Sequence, residues 1–178
     1  GPAYYISHEA GQGGGEDPEP NPDADLTALI ISEYVEGSGN NKYLEIANIS
    51  SSEIDLSAYT LRKYVNGAED SFDDMALSGT LASKAVKVFQ INSAALTLPE
   101  GVTAESTNSQ VLNFNGDDPI AIICNGEVVD LLGVFGDVDF GKDVTLRRKS
   151  SVTAPSATYK VDEWDEFPKD DVSGLGTL

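Results

Sequence analysis

At 178 residues, 40% of them hydrophobic, the chain is long enough for one self-sufficient core plus an appendage, and the balance of 30 acids against 11 bases leaves a formal charge of -19. That charge repels phosphate and argues against nonspecific DNA or RNA binding, while a single cysteine and a single histidine exclude an internal disulfide and the usual nitrogen–sulfur zinc sites. No apolar run reaches membrane-spanning length and no charged-then-apolar leader opens the chain, so this segment is not expected to insert in a bilayer.

Gly1-Pro2 reads as the scar of a cleaved tag, which places any signal peptide or lipid anchor outside this segment. Residues 1–25 then read as an acidic Gly/Pro-rich linker or the end of an upstream domain. Gly11-Gln-Gly-Gly-Gly15 is flexible, and Glu16-Asp-Pro-Glu-Pro-Asn-Pro-Asp23 favours an extended, solvated chain. Within it, Ala3-Tyr-Tyr-Ile-Ser-His8 has strand-like composition and suits pairing with a sheet edge.

From residue 26 to 178 the chain reads as one β-sandwich domain. Short β-rich segments recur between turn signals, at 28–35, 43–49, 59–65, 85–91, 110–114, 120–124, 128–134 and 144–148, and helical periodicity is missing. One helical turn is expected at 92–96 behind an Asn or Ser cap. The sharpest local signal is Asn125-Gly126 between Ile120-Ala-Ile-Ile-Cys124 and Glu127-Val-Val-Asp-Leu-Leu132, because a type I′ turn needs φ > 0 at both central residues. Cys124, inside an apolar strand, is read as a packed core thiol. This many strands require two layers, an all-β sandwich.

The order of motifs is distinctive: Leu29-Ile-Ile-Ser-Glu-Tyr-Val-Glu-Gly37, Asn41-Lys-Tyr-Leu-Glu-Ile46, Ile54-Asp-Leu-Ser-Ala-Tyr-Thr-Leu61, Leu77-Ser-Gly-Thr-Leu81, Asn113-Phe-Asn-Gly-Asp-Asp118, Thr145-Leu-Arg-Arg-Lys149 and Trp164-Asp-Glu-Phe-Pro168. Together they resemble a bacterial lamin tail domain over residues 26–178. The resemblance implies an immunoglobulin-like β-sandwich. It also implies an accessory module of secreted or surface proteins, of the kind found beside nucleases, phosphatases and other hydrolases, and the linker style is similar to that of Bacteroidetes surface lipoproteins. Many such members carry a long insertion before the Thr-Leu-Arg-Arg-Lys element, whereas the 136–143 loop here is short.

Within the domain no histidine is available for a nucleophilic triad, and no phosphate-cradling loop occurs. No catalytic residue and no cofactor other than Ca²⁺ is therefore assigned. Carboxylates are what remains. Asn115, Asp117 and Asp118 form one candidate metal cluster, Asp137, Asp139 and Asp143 a second, and Glu33, Glu36, Asn40 and Asn41 surround a Gly-Ser-Gly turn; such oxygens can also cap turns. Glu33 and Glu45, flanked by apolar residues, are expected to face solvent or pair across a sheet. Arg147, Arg148 and Lys149 are expected to pair with Asp162, Glu163, Asp165 and Glu166. Trp164 is read as pinning the C-terminal segment, with a glycan-stacking platform of Trp164, Tyr34, Tyr43 and Tyr64 as the competing use.

The functional expectation is a non-catalytic accessory or binding module, extracellular or at the cell surface or periplasm, with a protein or cell-envelope partner. It would act as a monomer or an edge-strand-paired dimer. The alternatives are a calcium-stabilised or carbohydrate-binding module and, third, a carboxylate-based hydrolase.

Overall fold

A computed structural model describes residues 20–178. The expectations placed on residues 1–19, including the strand-like Ala3–His8 stretch, lie outside the described residues. Among the described residues the regular structure is β-strand with short 3₁₀ turns. A six-stranded sheet is built from β1 (Leu29–Glu36), β2 (Lys42–Asn48), β7 (Val86–Ile91), β8 (Ala104–Thr107), β11 (Val144–Arg148) and β12 (Trp164–Pro168), in the order β12-β11-β1-β2-β7-β8. A four-stranded sheet of β4 (Tyr59–Tyr64), β5 (Phe72–Ala76), β9 (Ile120–Cys124) and β10 (Glu127–Leu132) runs β10-β9-β4-β5. The short strands β3 (Ile54–Asp55) and β6 (Thr80–Leu81) pair with each other.

Inward-facing residues of both sheets, Leu29, Ile31, Leu44, Ile46, Phe89 and Leu146 from one and Leu61, Ile120, Ile122 and Cys124 from the other, meet in one core. This is the alternate-residue interdigitation that makes an Ig-like sandwich. Tyr34 stacks on Phe114 with centroids 4.5 Å apart. Both sheets are also covered on parts of their outer faces, which explains why β1, β2 and β9 are buried along their whole length. Tyr64, Phe72, Phe135 and Leu131 cover the outside of β9. Val172 and Leu175, with the 94–104 loop, cover Val35, Tyr43 and Val88 on the outside of the larger sheet.

The Asn-Gly hairpin forms as expected, with Asn125 at φ 53° and Gly126 at φ 77°, and Cys124 is buried in the core. Asn125 also receives the incoming chain: its amide accepts from Asn21 N–H at 2.8 Å and donates to Asn21 C=O at 3.0 Å. Two local expectations fail. Residues 110–112 form a 3₁₀ turn rather than a strand, because the Ser109 hydroxyl caps Val111 N–H and turns Val111 and Leu112 inward as core plugs. Residues 92–96 make only a single hydrogen-bonded turn, Ala94 N–H to Ile91 C=O at 2.9 Å.

Candidate functional site

The site starts from a β-bulge. Pairing between β1 and β2 slips between Ile31 and Glu33, so Ser32 and Glu33 both project from the outer face opposite Glu45 of β2. The Ser32 hydroxyl donates to Glu45 Oε1 at 2.7 Å. On the other flank of β1, register places Arg147 of β11 opposite Glu33, and the guanidinium bonds it through Nε and Nη2 at 3.0 and 3.3 Å. The outer face of the sheet centre is thus a polar row: Arg147, Glu33, Glu45.

The C-terminal segment folds back over one end of this row. Asp171 reaches Arg147 at 3.5 Å, its carbonyl accepts from the Thr145 hydroxyl at 2.8 Å, and Gly176 N–H donates to Glu45 Oε2 at 2.7 Å. Glycine is needed twice for this approach. A Cβ at 174 would overlap the Arg147 guanidinium, and one at 176, where φ is 97°, would overlap Val102. Phe167 closes the opposite side of Arg147 at 4.0 Å.

Between this segment and the 149–153 turn a groove of about 720 Å³ stays open over the polar row, with Ile30, Ile49 and Val152 as apolar walls. That volume lies in the range of ligand pockets. Glu33 and Glu45 are each only 1% exposed. Burial pushes the Glu33 carboxyl up to about 7 against the pull of Arg147, and burial likewise raises Glu45 against its bonds to Gly176 and Ser32. Of these two neighbouring buried carboxylates, Glu33 bonds the Arg147 guanidinium, while Glu45 is held by Ser32 and Gly176 and feels Arg147 only across space. Both are held by protein donors, an arrangement suited to recognising charge.

A second ionic group sits at the edge of the sandwich. Asp130, fully buried on β10, takes Arg148 in a bidentate pair at 2.9 and 3.1 Å and also accepts from Ile31 N–H at 2.8 Å and Ser156 N–H at 3.0 Å. Arg148 further donates to Ile31 C=O and to Glu163, both within 2.9 Å, and lies 4.8 Å from the Trp164 ring. This network fixes both backbone groups of Ile31 beside the bulge.

The residues singled out from sequence are distributed as follows. Asp117 lies within hydrogen-bonding reach of Asp137, so the first two acidic clusters touch at this pair, and burial together with Asp118 and Asp137 pushes the Asp117 carboxyl up to about 6. Asp118 caps turns instead, accepting from Asn66 N–H at 2.8 Å and Asn115 N–H at 3.1 Å. With its amide nitrogen turned toward them, Asn115 bridges Asp118 and Asp117 at 2.8 and 2.6 Å. Asp139 is exposed, and the Asp143 N–H donates to Glu36, which pairs with Lys42 at 2.5 Å. Among the described residues no group of three or more His, Cys, Asp or Glu is arranged to hold a metal.

The stacking platform is corrected. Trp164 and Tyr34 are buried in the main core and Tyr64 in the outer cluster of the smaller sheet, so none offers a ring face to a sugar; Tyr43 is buried under the C-terminal segment. The basic run pairs with Glu163 and, at 3.9 Å, with Asp165, but Arg147 turns to Glu33 and Asp171 instead.

A family model described as Lamin Tail Domain matches residues 22–136. The chain belongs to the lamin tail domain family. That family is a non-catalytic Ig-like domain, and membership makes this chain an Ig-like binding or accessory module. Compared with curated proteins, the chain finds no match. β11 and β12 fall beyond the matched span yet complete the same sheet, so the lamin tail domain here draws Arg147 from outside the residues that define the family match. Among the described residues no helix is long and apolar enough to cross a membrane.

Proposed function

We propose that this lamin tail domain is a non-catalytic binding module of a secreted or surface-anchored bacterial protein, and that it holds a protein or envelope partner through the groove on the outside of its six-stranded sheet. The observation that carries this reading is the groove itself: about 720 Å³ of open space over a floor of buried, hydrogen-bonded charges. Sheet surfaces without a partner are ordinarily solvated, and burying two carboxylates is costly. A rigid sandwich that holds polar groups in fixed places preorganises recognition.

The test is binding of fluorescently labelled domain to intact cells and envelope fractions of the producing bacterium, with a Gly174→Val variant that pushes Arg147 into the groove. Saturable binding by the wild type that falls at least tenfold in a folded variant supports the reading. Equal binding by both, or none by either, contradicts it. A calcium-stabilised module is the second reading, favoured by the Asp117–Asp137 contact, where burial, then Asp118 and Asp137, push the Asp117 carboxyl up to about 6. Millimolar calcium that raises the unfolding midpoint in the wild type but not in Asp117→Asn would support it, and no shift removes it.

A further inference from the structure

We infer that Asp117 and Asp137 form a proton-operated latch, which holds the tip of the β10–β11 connection against the neighbouring turns while the two carboxyls share a proton and releases it when both ionise. The connection, residues 133–143, is pinned on either side of its tip. Before the tip, Phe135 packs edge-on against Tyr64 with centroids 4.9 Å apart. After it, Phe140 lies 6.1 Å from Tyr34 and Gly141 N–H donates to Gly116 C=O at 3.0 Å. The tip itself, residues 136–139, meets the turns through Gly136 N–H, which donates to Gly67 C=O at 3.0 Å, and through the Asp137 carboxyl on Asp117. Val138 and Asp139 are exposed.

Two carboxyls in hydrogen-bonding contact need a proton between them, because ionised carboxylates are acceptors only. Nothing basic offsets this pair: among the described residues no Lys, Arg or His forms an ion pair with Asp117, Asp118 or Asp137. The neutral donors nearby are already used. The Asn115 amide bridges Asp117 and Asp118 at 2.6 and 2.8 Å, and Asp118 takes the Asn66 and Asn115 N–H groups. The proton is therefore what joins Asp137 to Asp117. Burial first, then Asp118 and Asp137, push the Asp117 carboxyl up to about 6, so the pair holds its proton at pH 5 and has lost it above neutrality. The other groups packed around the pair are Glu36 and the buried Tyr34 from β1, and Lys142, whose backbone lies against Gly116.

Once the proton leaves, like charges face each other at contact and one side must move. Asp117 is tied to its turn by Asn115, whereas Asp137 stands on the half of the connection that packs least. Its neighbour Gly136, at φ 99°, is a ready pivot. The latched position also has no slack, since a Cβ at Gly67 would come within 2.5 Å of Asp137 N. Ionisation therefore lifts residues 136–139 away from Gly67 while Phe135 and Phe140 keep both ends in place.

The experiment is backbone nitrogen NMR relaxation of the full chain at pH 5 and pH 7.5 with chelator present, beside carbon-detected titration of the Asp117 and Asp137 carboxyls. The inference expects order parameters at 136–139 of about 0.85 at pH 5 and below about 0.6 at pH 7.5, with β11 unchanged. The transition is expected near pH 6, and both carboxyls should follow it. Asp117→Asn and Asp137→Asn each put an amide donor where the proton was, so each is expected to keep the tip ordered at both pH values. Equal order at both pH values in the wild type overturns the latch. So does a pH-dependent tip that persists in both folded variants, and so do two carboxyls that titrate independently near the ordinary value of 3.8.

Discussion

Two buried ionic groups, one joining the two sheets through Asp130 and Arg148 and one on the outer face of the six-stranded sheet, are wired in opposite ways. Around Asp130 every oxygen meets a donor and the carboxylate faces a fully paired arginine, with Glu163 on the arginine's other side. Around Glu33 and Glu45 the acids outnumber the guanidinium, burial pushes both carboxyls up, and a groove opens beside them. A satisfied network is a fastening between two sheets. An under-compensated one beside open volume is a place for something else to bind.

The comparison breaks first at Asp130. Asp130→Ala leaves Arg148 and the Ile31 N–H without their buried partner and is expected to cost about 3–5 kcal/mol in urea unfolding. A cost below about 1 kcal/mol would mean the two groups do not differ as described.

The next effect is in pH. A carboxyl raised in the folded state binds its proton more tightly there than in the unfolded chain, so stability is gained as pH falls from above 7 toward the ordinary value of 4.5. At about 1.4 kcal/mol per pKa unit, Glu33 alone contributes a rise of about 3 kcal/mol across that window, and Glu45 acts in the same direction. The groups facing Glu33 are Arg147, Glu45 and Asp171. Urea midpoints at pH 8, 7, 6 and 5 should climb, and the slope should flatten in Glu33→Gln. Stability that falls over this range would contradict the wiring.

Gly174→Ala sharpens the comparison from the other side. Its Cβ meets the Arg147 guanidinium, and the overpacking is expected to cost about 1–3 kcal/mol with raised amide exchange in the C-terminal segment. The smallest change is expected for Glu45→Gln, within about 1 kcal/mol of wild type at pH 7. The glutamine oxygen can still accept from Gly176 N–H while its amide NH2 donates to the Ser32 hydroxyl, and the buried charge is gone. Near-neutral Glu45→Gln against costly Asp130→Ala is the contrast the two wirings demand.

Some of this was legible in the sequence and some was not, for local reasons. Asn125-Gly126 announced its hairpin because the turn geometry restricts which residues can sit there. The central strands β1, β2, β4, β9 and β11 announced themselves by β-branched, aromatic and other apolar residues between turn signals. The edge strands β5 and β12 did not, since Phe72-Asp-Asp-Met-Ala76 and Trp164-Asp-Glu-Phe-Pro168 carry the charge and proline that protect sheet edges and so read as loop. Residues 110–114 misled in the other direction, being apolar for core plugging rather than for pairing.

The candidate site was half visible. Alternation from the inward Leu29 and Ile31 leaves Ser32 outward but Glu33 inward, and the bulge that turns Glu33 outward beside it, opposite Glu45, leaves no mark in composition. The cover over the row comes from residues more than a hundred positions away, and its only sequence trace is the spacing of Gly174 and Gly176 in Val172-Ser-Gly-Leu-Gly-Thr-Leu178. The aspartates that drew notice in the loops were conspicuous because loops concentrate turn-capping carboxylates. Asp118 does that work.

The most direct measurement is the titration of the Glu33 side-chain carboxyl by carbon-detected NMR in the intact chain. The account predicts a midpoint at about 7. A midpoint near 4.5 would show that Arg147 fully compensates Glu33 and that the two ionic groups are wired alike.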